Sequence, residues 1–189
     1  MQDTMPALVA AATGRARSAG FPLSCEPAVG QLLAVLAAHL PAGARVLELG
    51  TGAGVGTAWI ASGLLPRDDV TVITVEKDPQ TAALAACGAW PQFVDRRVGE
   101  ALGVLGEAGA FDFIFADAPG GKWSGLDRTI AALRPHGLLV VDDMTAAPQW
   151  TAEQHARQNE VRQALLTSPL LTSAELDHGS GVILATRHA

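Results

Sequence analysis

The strongest constraint on the fold is an alternation. Short apolar runs and segments of helical spacing follow one another across residues 45–186. Residues 45–49 read as a strand ending at Gly50, with a helix after them to about Leu65. Residues 70–75 form a β-branched run, which favours a strand, and Asp78 can cap the helix that follows to about Ala89. A weaker strand spans 92–98, a fourth spans 111–115, and a helix is expected over 124–133. The tetrad 134–137 is a turn, and 138–141 is a fully apolar strand closed by Asp142. A polar helix over 152–167 precedes two strands, 170–176 and 181–186, joined by a hairpin signal around His178–Gly181. Strands alternating with helices predict a doubly wound, mostly parallel α/β sheet, and the two closing strands suggest an antiparallel edge. Ahead of it stand two Ala- and Leu-rich helices, 6–19 and 26–40, the second with Leu32, Leu33, Leu36 and Leu40 on one face. The whole chain reads as one domain, residues 1–42 capping a core of 43–189.

Composition narrows the partners. A chain of 189 residues buries enough surface to hold a core without staples. Cys25 and Cys87 make no disulfide framework or zinc spacing, and are expected to be buried thiols in a reducing compartment. The net charge is −6 and no basic stripe is present, which argues against nucleic acid as partner. No apolar run reaches membrane-spanning length, and the N-terminus starts acidic without an apolar core. The expectation is a cytoplasmic globule.

In doubly wound sheets, ligands bind just beyond the carboxyl ends of the strands. After the first strand comes Gly50-Thr-Gly52-Ala-Gly54-Val-Gly56-Thr57, preceded by Glu48. Glycines let the backbone approach a ligand and turn into a helix N-terminus. A dinucleotide fingerprint wants glycine at position 55, where this chain has Val55. Glu48 is poorly placed for a pyrophosphate but suits a ligand with an ammonium or sulfonium group. The second strand ends at Glu76, where an acid can accept both ribose hydroxyls or simply start a helix. Together these features favour S-adenosylmethionine over NAD.

At these residues the chain resembles a known family. VLELGTGAG (46–54) and VEKD (75–78) look like the first two motifs of class I S-adenosylmethionine-dependent methyltransferases. CEPAVGQLL (25–33), VGEALGVL (98–105), FDFIFAD (111–117) and LRPHGLLVVDD (133–143) are similar to the catechol and caffeoyl-CoA O-methyltransferase group, particularly its bacterial members. The resemblance covers about residues 24–186. It implies a seven-stranded sheet with an antiparallel last strand, and a homodimer to which the N-terminal helices contribute. Cofactor contacts would come from Glu48, Gly50, Thr51, Gly52, Gly54, Thr57, Glu76, Lys77, Glu100, Ala101 and Asp117. Of these, Gly50 and its neighbours would hold the methionine end, Glu76 the ribose, and Glu100 with Ala101 the adenine edge. Glu100 stands where the group usually has Asp.

Asp117, Asp142 and Asp143 end the fourth and fifth strands, and adjacent strands lie about 4.8 Å apart. Their repulsion calls for a cation or hydrogen-bond donors, and hard oxygen ligands point to Mg²⁺, Mn²⁺ or Ca²⁺. The resembled group binds a divalent metal with Asp, Asp and Asn, so Asp143 is a departure. A second departure is the longer segment that carries Lys122. Of 13 basic residues only Lys77 and Lys122 are lysines, and Lys122 sits beside this rim. It is either a base or electrostatic helper for an acceptor hydroxyl, together with Asp117, or a solvated loop cation. Trp123 and Trp150 flank the rim and would either sandwich a flat acceptor or simply pack exposed loops. Residues 144–150 and the helix after them would form a lid, and His178 is a weaker candidate base.

The function that follows is methyl transfer from S-adenosylmethionine to a hydroxyl of a small molecule, a phenol being the expected instance, assisted by a divalent metal. A metal-independent O- or N-methyltransferase is the alternative. An NAD-binding oxidoreductase or a non-catalytic S-adenosylmethionine-binding domain is more remote.

Overall fold

The computed structural model describes residues 5–107, 109–146 and 150–189. Helices α1 (Ala7–Ser18) and α2 (Pro27–Ala38) come first. Seven strands follow: β1 (Arg45–Leu49), β2 (Thr71–Glu76), β3 (Val94–Val98), β4 (Phe111–Ala116), β5 (Leu133–Val141), β6 (Leu171–Leu176) and β7 (Val182–Arg187). Between them run α3 (Val55–Leu64), α4 (Pro79–Ala86), α5 (Ala101–Glu107), α6 (Pro119–Lys122), α7 (Leu126–Ala131) and α8 (Ala152–Leu166). The strands form one sheet in the order β3-β2-β1-β4-β5-β7-β6.

Strand periodicity explains the layering. Val46, Val72, Phe113, Phe115 and Val140 pack with α2 and α3 on one face, through Leu33, Ala37, Ile60 and Leu64. Leu47, Ile73, Ile114, Ala116 and Leu139 face the other way, onto Val104 of α5, Ile130 of α7 and Val161 and Leu165 of α8. Successive side chains on a strand point to opposite faces, so a run that is apolar throughout demands cover on both. The N-terminal α1 forms an outer layer, with Val9, Ala12 and Ala16 against Ala58 and Trp59 of α3. Close approach of α2 to α3 needs Gly30, where a Cβ would lie 2.1 Å from the Trp59 ring.

The antiparallel last strand expected from the sequence is β7, which runs antiparallel to both β5 and β6. It lies one place in from the edge, and β6 takes the edge itself. The hairpin dictates this, because a tight turn can join only antiparallel strands, and α8 has already carried β6 two places beyond β5, leaving the gap that β7 fills. The expected turn at 134–137 is a bulge inside β5. Phe111 pairs with Leu133, the register shifts, and Phe113 pairs with Leu138. The helix expected over 124–133 is correspondingly short, because Gly125 (φ 74°) starts it and Leu133 belongs to the sheet.

Candidate active site

The sheet reverses its winding between β1 and β4, and a cleft of about 790 Å³ opens there beyond the carboxyl ends of β1, β2, β4 and β5. This is the switch point at which ligands bind in such sheets. The loop after β1 forms its floor. Gly50 has φ 105°, and a Cβ there would lie 2.6 Å from the Asp117 carbonyl oxygen. The Gly50 and Thr51 amides donate to the Val75 carbonyl at 2.9 and 3.1 Å, which ties the loop to β2. Glu76, at the end of β2, is half-buried. Its Oε2 accepts from the Gly52 amide at 3.0 Å and its Oε1 from the Asp78 amide at 3.1 Å.

Glu48 lies in the cleft wall with no exposed surface. The Thr57 hydroxyl and the Thr74 hydroxyl (2.6 Å) both donate to its Oε2, while Oε1 has no hydrogen-bond partner. Burial pushes its pKa up from 4.5 to about 7, against the pull of the two threonines. A buried acceptor without a donor is costly, and a cationic group of a ligand would relieve it. The sign of its pH effect follows. An acid with a raised pKa holds its proton more tightly folded than unfolded, so its contribution is full below about pH 4.5. It declines as pH rises to about 7, by about 3 kcal/mol. Thermal melts of the ligand-free protein should therefore fall between pH 5 and 8, and Glu48→Gln should remove this share of the decline. Equal slopes for both proteins would contradict that.

On the opposite side, Asp117 follows β4 and Asp142 with Asp143 ends β5. Ligand oxygens of the three lie within 4.8 Å of one another. Burial raises the Asp117 carboxyl well above its usual range and the nearby Asp142 adds to this, while Lys122 opposes it. Burial also raises Asp142, although the Ser180 hydroxyl and the Asp143 amide (2.7 Å) donate to its Oδ1. Asp143 has φ 57°, a conformation that Asp and Asn adopt more readily than most residues. That backbone would accept either of those two residues.

Lys122 is 4% exposed, so it is not a solvated loop cation. Its Nζ donates to the Asp142 carbonyl at 3.1 Å and pairs with Asp143 Oδ2 at 3.5 Å. The loop that carries it is pinned by Gly121 (φ 87°), where a Cβ would meet Leu49 at 2.3 Å. Thr129 holds the same glycine by donating to its carbonyl at 2.8 Å.

Residues 47–144 match the family described as Methyltransferase domain. A Mycolicibacterium vanbaalenii protein named "Putative O-methyltransferase" is 33% identical over 193 residues, covering 96% of this chain and 84% of that protein. A solved Klebsiella pneumoniae structure of the same description has a TM-score of 0.84 at 28% identity, covering 100% of this chain and 93% of that one. The chain belongs to the class I S-adenosylmethionine-dependent O-methyltransferases. The Bacillus cereus O-methyltransferase crystallised with S-adenosylhomocysteine shares the fold, with a TM-score of 0.84 at 22% identity over 99% of this chain and 93% of its own.

In this methyltransferase the cleft brings together Glu48, Gly50, Thr51, Gly52, Glu76, Lys77, Glu100, Ala101, Asp117, Lys122, Asp142 and Asp143. Gly54 and Thr57 stand outside the wall. Gly54 starts α3 with its α-carbon turned toward Trp90, and Thr57 acts from behind by holding Glu48. Trp123 and Trp150 line the cleft, but their rings meet edge-on at 89° with centroids 6.1 Å apart. They make a right-angled corner, not a sandwich, because a ring slotted between two others needs them parallel. His178 does not line the cleft, and its Nε2 lies 2.8 Å from the Ala28 carbonyl oxygen. Ser180, from the same hairpin, is the residue that reaches the rim. Cys25 lines the cleft, whereas Cys87 is exposed at the end of α4, contrary to expectation. Of the proposed lid, 147–149 lie outside the described residues. Ser180, Gln158 and the segment 21–26 that covers Gly52 left no periodic signal in the sequence. Ser180 could have been found only by placing β7 beside β5.

Proposed function

We propose that this enzyme methylates a hydroxyl of a small, flat, phenolic acceptor, with a divalent cation held by Asp117, Asp142 and Asp143. The observation that carries this reading is the convergence of three carboxylates on the rim of the cleft that the donor loop floors. Their donor set fits a hard cation: all ligands are oxygen, and the raised carboxyl pKa values mark a site short of positive charge. Bound there, the ion would lower the pKa of an acceptor phenol from its usual value of about 10. S-adenosylmethionine supplies an activated methyl group on a sulfonium.

The chain's own residues do the remainder. Glu76 and the Gly50–Gly52 backbone orient the donor, Glu100 and Ala101 border the adenine, and the free Oε1 of Glu48 accepts from the ammonium of its methionine end. As the methyl group passes from sulfur to the acceptor oxygen and leaves neutral S-adenosylhomocysteine, the hydroxyl proton passes to water. Lys122, rigidly held, presents positive charge to the oxygen. The Trp123–Trp150 corner aligns the ring so that oxygen, methyl carbon and sulfur fall in line, an orientation effect worth several kcal/mol.

A metal-independent route has one observation in its favour, since Lys122 is already a resident cation at 3.5 Å from Asp143. Methyl-labelled donor supplied with catechol, a monophenol, an aliphatic alcohol and a primary amine separates acceptor classes. Catechol should be labelled fastest and the amine not at all. Preferential labelling of the amine would refute the hydroxyl reading.

A further inference from the structure

We propose that Gln158 is the positioning residue for the acceptor end of the cleft, tying the Trp123 indole to the backbone of Asp143. Gln158 lies on α8, an otherwise polar helix, yet it is only 2% exposed. Its Oε1 accepts from Trp123 Nε1 at 2.6 Å. Its Nε2 donates to the Asp143 carbonyl and, at 3.1 Å, to Met144 Sδ. The donors and the acceptor of the buried amide are thus all engaged, by groups from two separate loops. Gln158 does not line the cleft itself, whereas both groups it holds, Trp123 and Asp143, do.

The neighbours show what this fixes. Trp123 meets Trp150 edge-on, and Trp150 meets the His155 ring at 5.8 Å, one turn before Gln158 on α8. The same helix reaches the loop again through Arg162, which donates to the Met144 carbonyl and pairs with Glu175 at 2.8 Å. A single amide therefore sets the rotation of the indole and braces the carbonyl of Asp143, whose left-handed backbone offers few alternatives. An acceptor ring lies against one and its hydroxyl faces the other, so their spacing selects the acceptor. Replacing the amide with an apolar group leaves the indole N–H and a carbonyl seeking new partners.

This inference rests on the acceptor site proposed above, and its test keeps the two apart. Gln158→Met conserves length and removes all three bonds, while Trp123→Phe removes the indole N–H together with the five-membered ring that carries it. With catechol as probe, each variant should raise the acceptor KM about tenfold. Affinity for S-adenosylhomocysteine should stay within twofold, and the double variant should be no worse than the single ones. An unchanged KM in either variant, or additive effects, would overturn the proposal. If the wild type labels no hydroxyl, the acceptor reading fails, and hydrogen exchange at the tryptophan indoles then decides on Gln158. The indole N–H absent from Trp123→Phe should exchange slowly in the wild type and at least tenfold faster in Gln158→Met. Equal rates would refute the tie.

Discussion

Replacing Asp142 and Asp143 together by alanine should lower kcat by about 10²–10³-fold while S-adenosylhomocysteine still binds within about threefold. The split is the informative part. Both carboxylates sit at the end of β5, across the cleft from Glu48 and Glu76, so the donor half keeps its contacts. Folding should survive, because the pair is a charged group held against its preference: burial raises Asp142, and Asp143 sits close beside it. Removing two negative charges from a rim that also holds Asp117 relieves repulsion, which offsets the loss of the Ser180 hydrogen bond and of the Lys122–Asp143 pair. Alanine at the left-handed position 143 costs about 1–2 kcal/mol. Asp143→Asn alone should retain most activity, since its left-handed backbone accepts either residue and the amide oxygen remains a hard ligand. Steady-state kinetics beside calorimetric titration would check both statements. Loss of cofactor affinity in step with kcat would mean that the rim serves the donor instead.

Gly50→Ala should damage both the fold and cofactor binding through a single added methyl group. At φ 105° an L side chain is strained, at a cost of about 1–2 kcal/mol. The new Cβ would also lie 2.6 Å from the Asp117 carbonyl oxygen and 3.0 Å from its carbon. These are backbone atoms at the end of β4, so the collision can be relieved only by moving the acidic rim away from the donor loop. Overpacking of this kind adds about 1–3 kcal/mol. The sum, about 2–5 kcal/mol, should lower Tm by about 10 °C and cut affinity for S-adenosylhomocysteine by at least tenfold. Gly14→Ala is the control. It lies in α1 with nothing within 4 Å of its added carbon, and should gain about 0.5–1 kcal/mol from helix propensity. A Gly50→Ala protein that melts and binds like wild type would show that the loop is free to move.

The parts of this structure that could be read in the chain are those that rest on local chemistry. β1, β2 and β4 are apolar on both faces, so their buried runs announce themselves, and the residues just past them become the cleft by geometry alone. α5 and α6 were silent for the opposite reason. Gly103 and Gly106 dilute the first, and Pro119-Gly-Gly-Lys122 reads as a turn. The place of β7 depends on pairing between strands far apart in sequence, and no local pattern encodes it. Burial of polar side chains was equally hidden. Gln158 sits in a helix whose composition is that of a solvated surface, and only the packed fold shows its amide spent on Trp123 and Asp143. The place of Glu48 in the cleft wall was legible from its position just before the loop. That its free oxygen stands alone depends on Thr57 and Thr74 crowding the other one.

The rate of labelled methyl transfer to catechol, followed as Mg²⁺ is stripped by a chelator and then restored, tests the central claim most directly. Turnover should fall at least a hundredfold in chelator, return with Mg²⁺, and show no such response in the Asp142→Ala, Asp143→Ala double variant. A wild-type rate indifferent to chelator would assign acceptor activation to Lys122 and contradict a metal-assisted site.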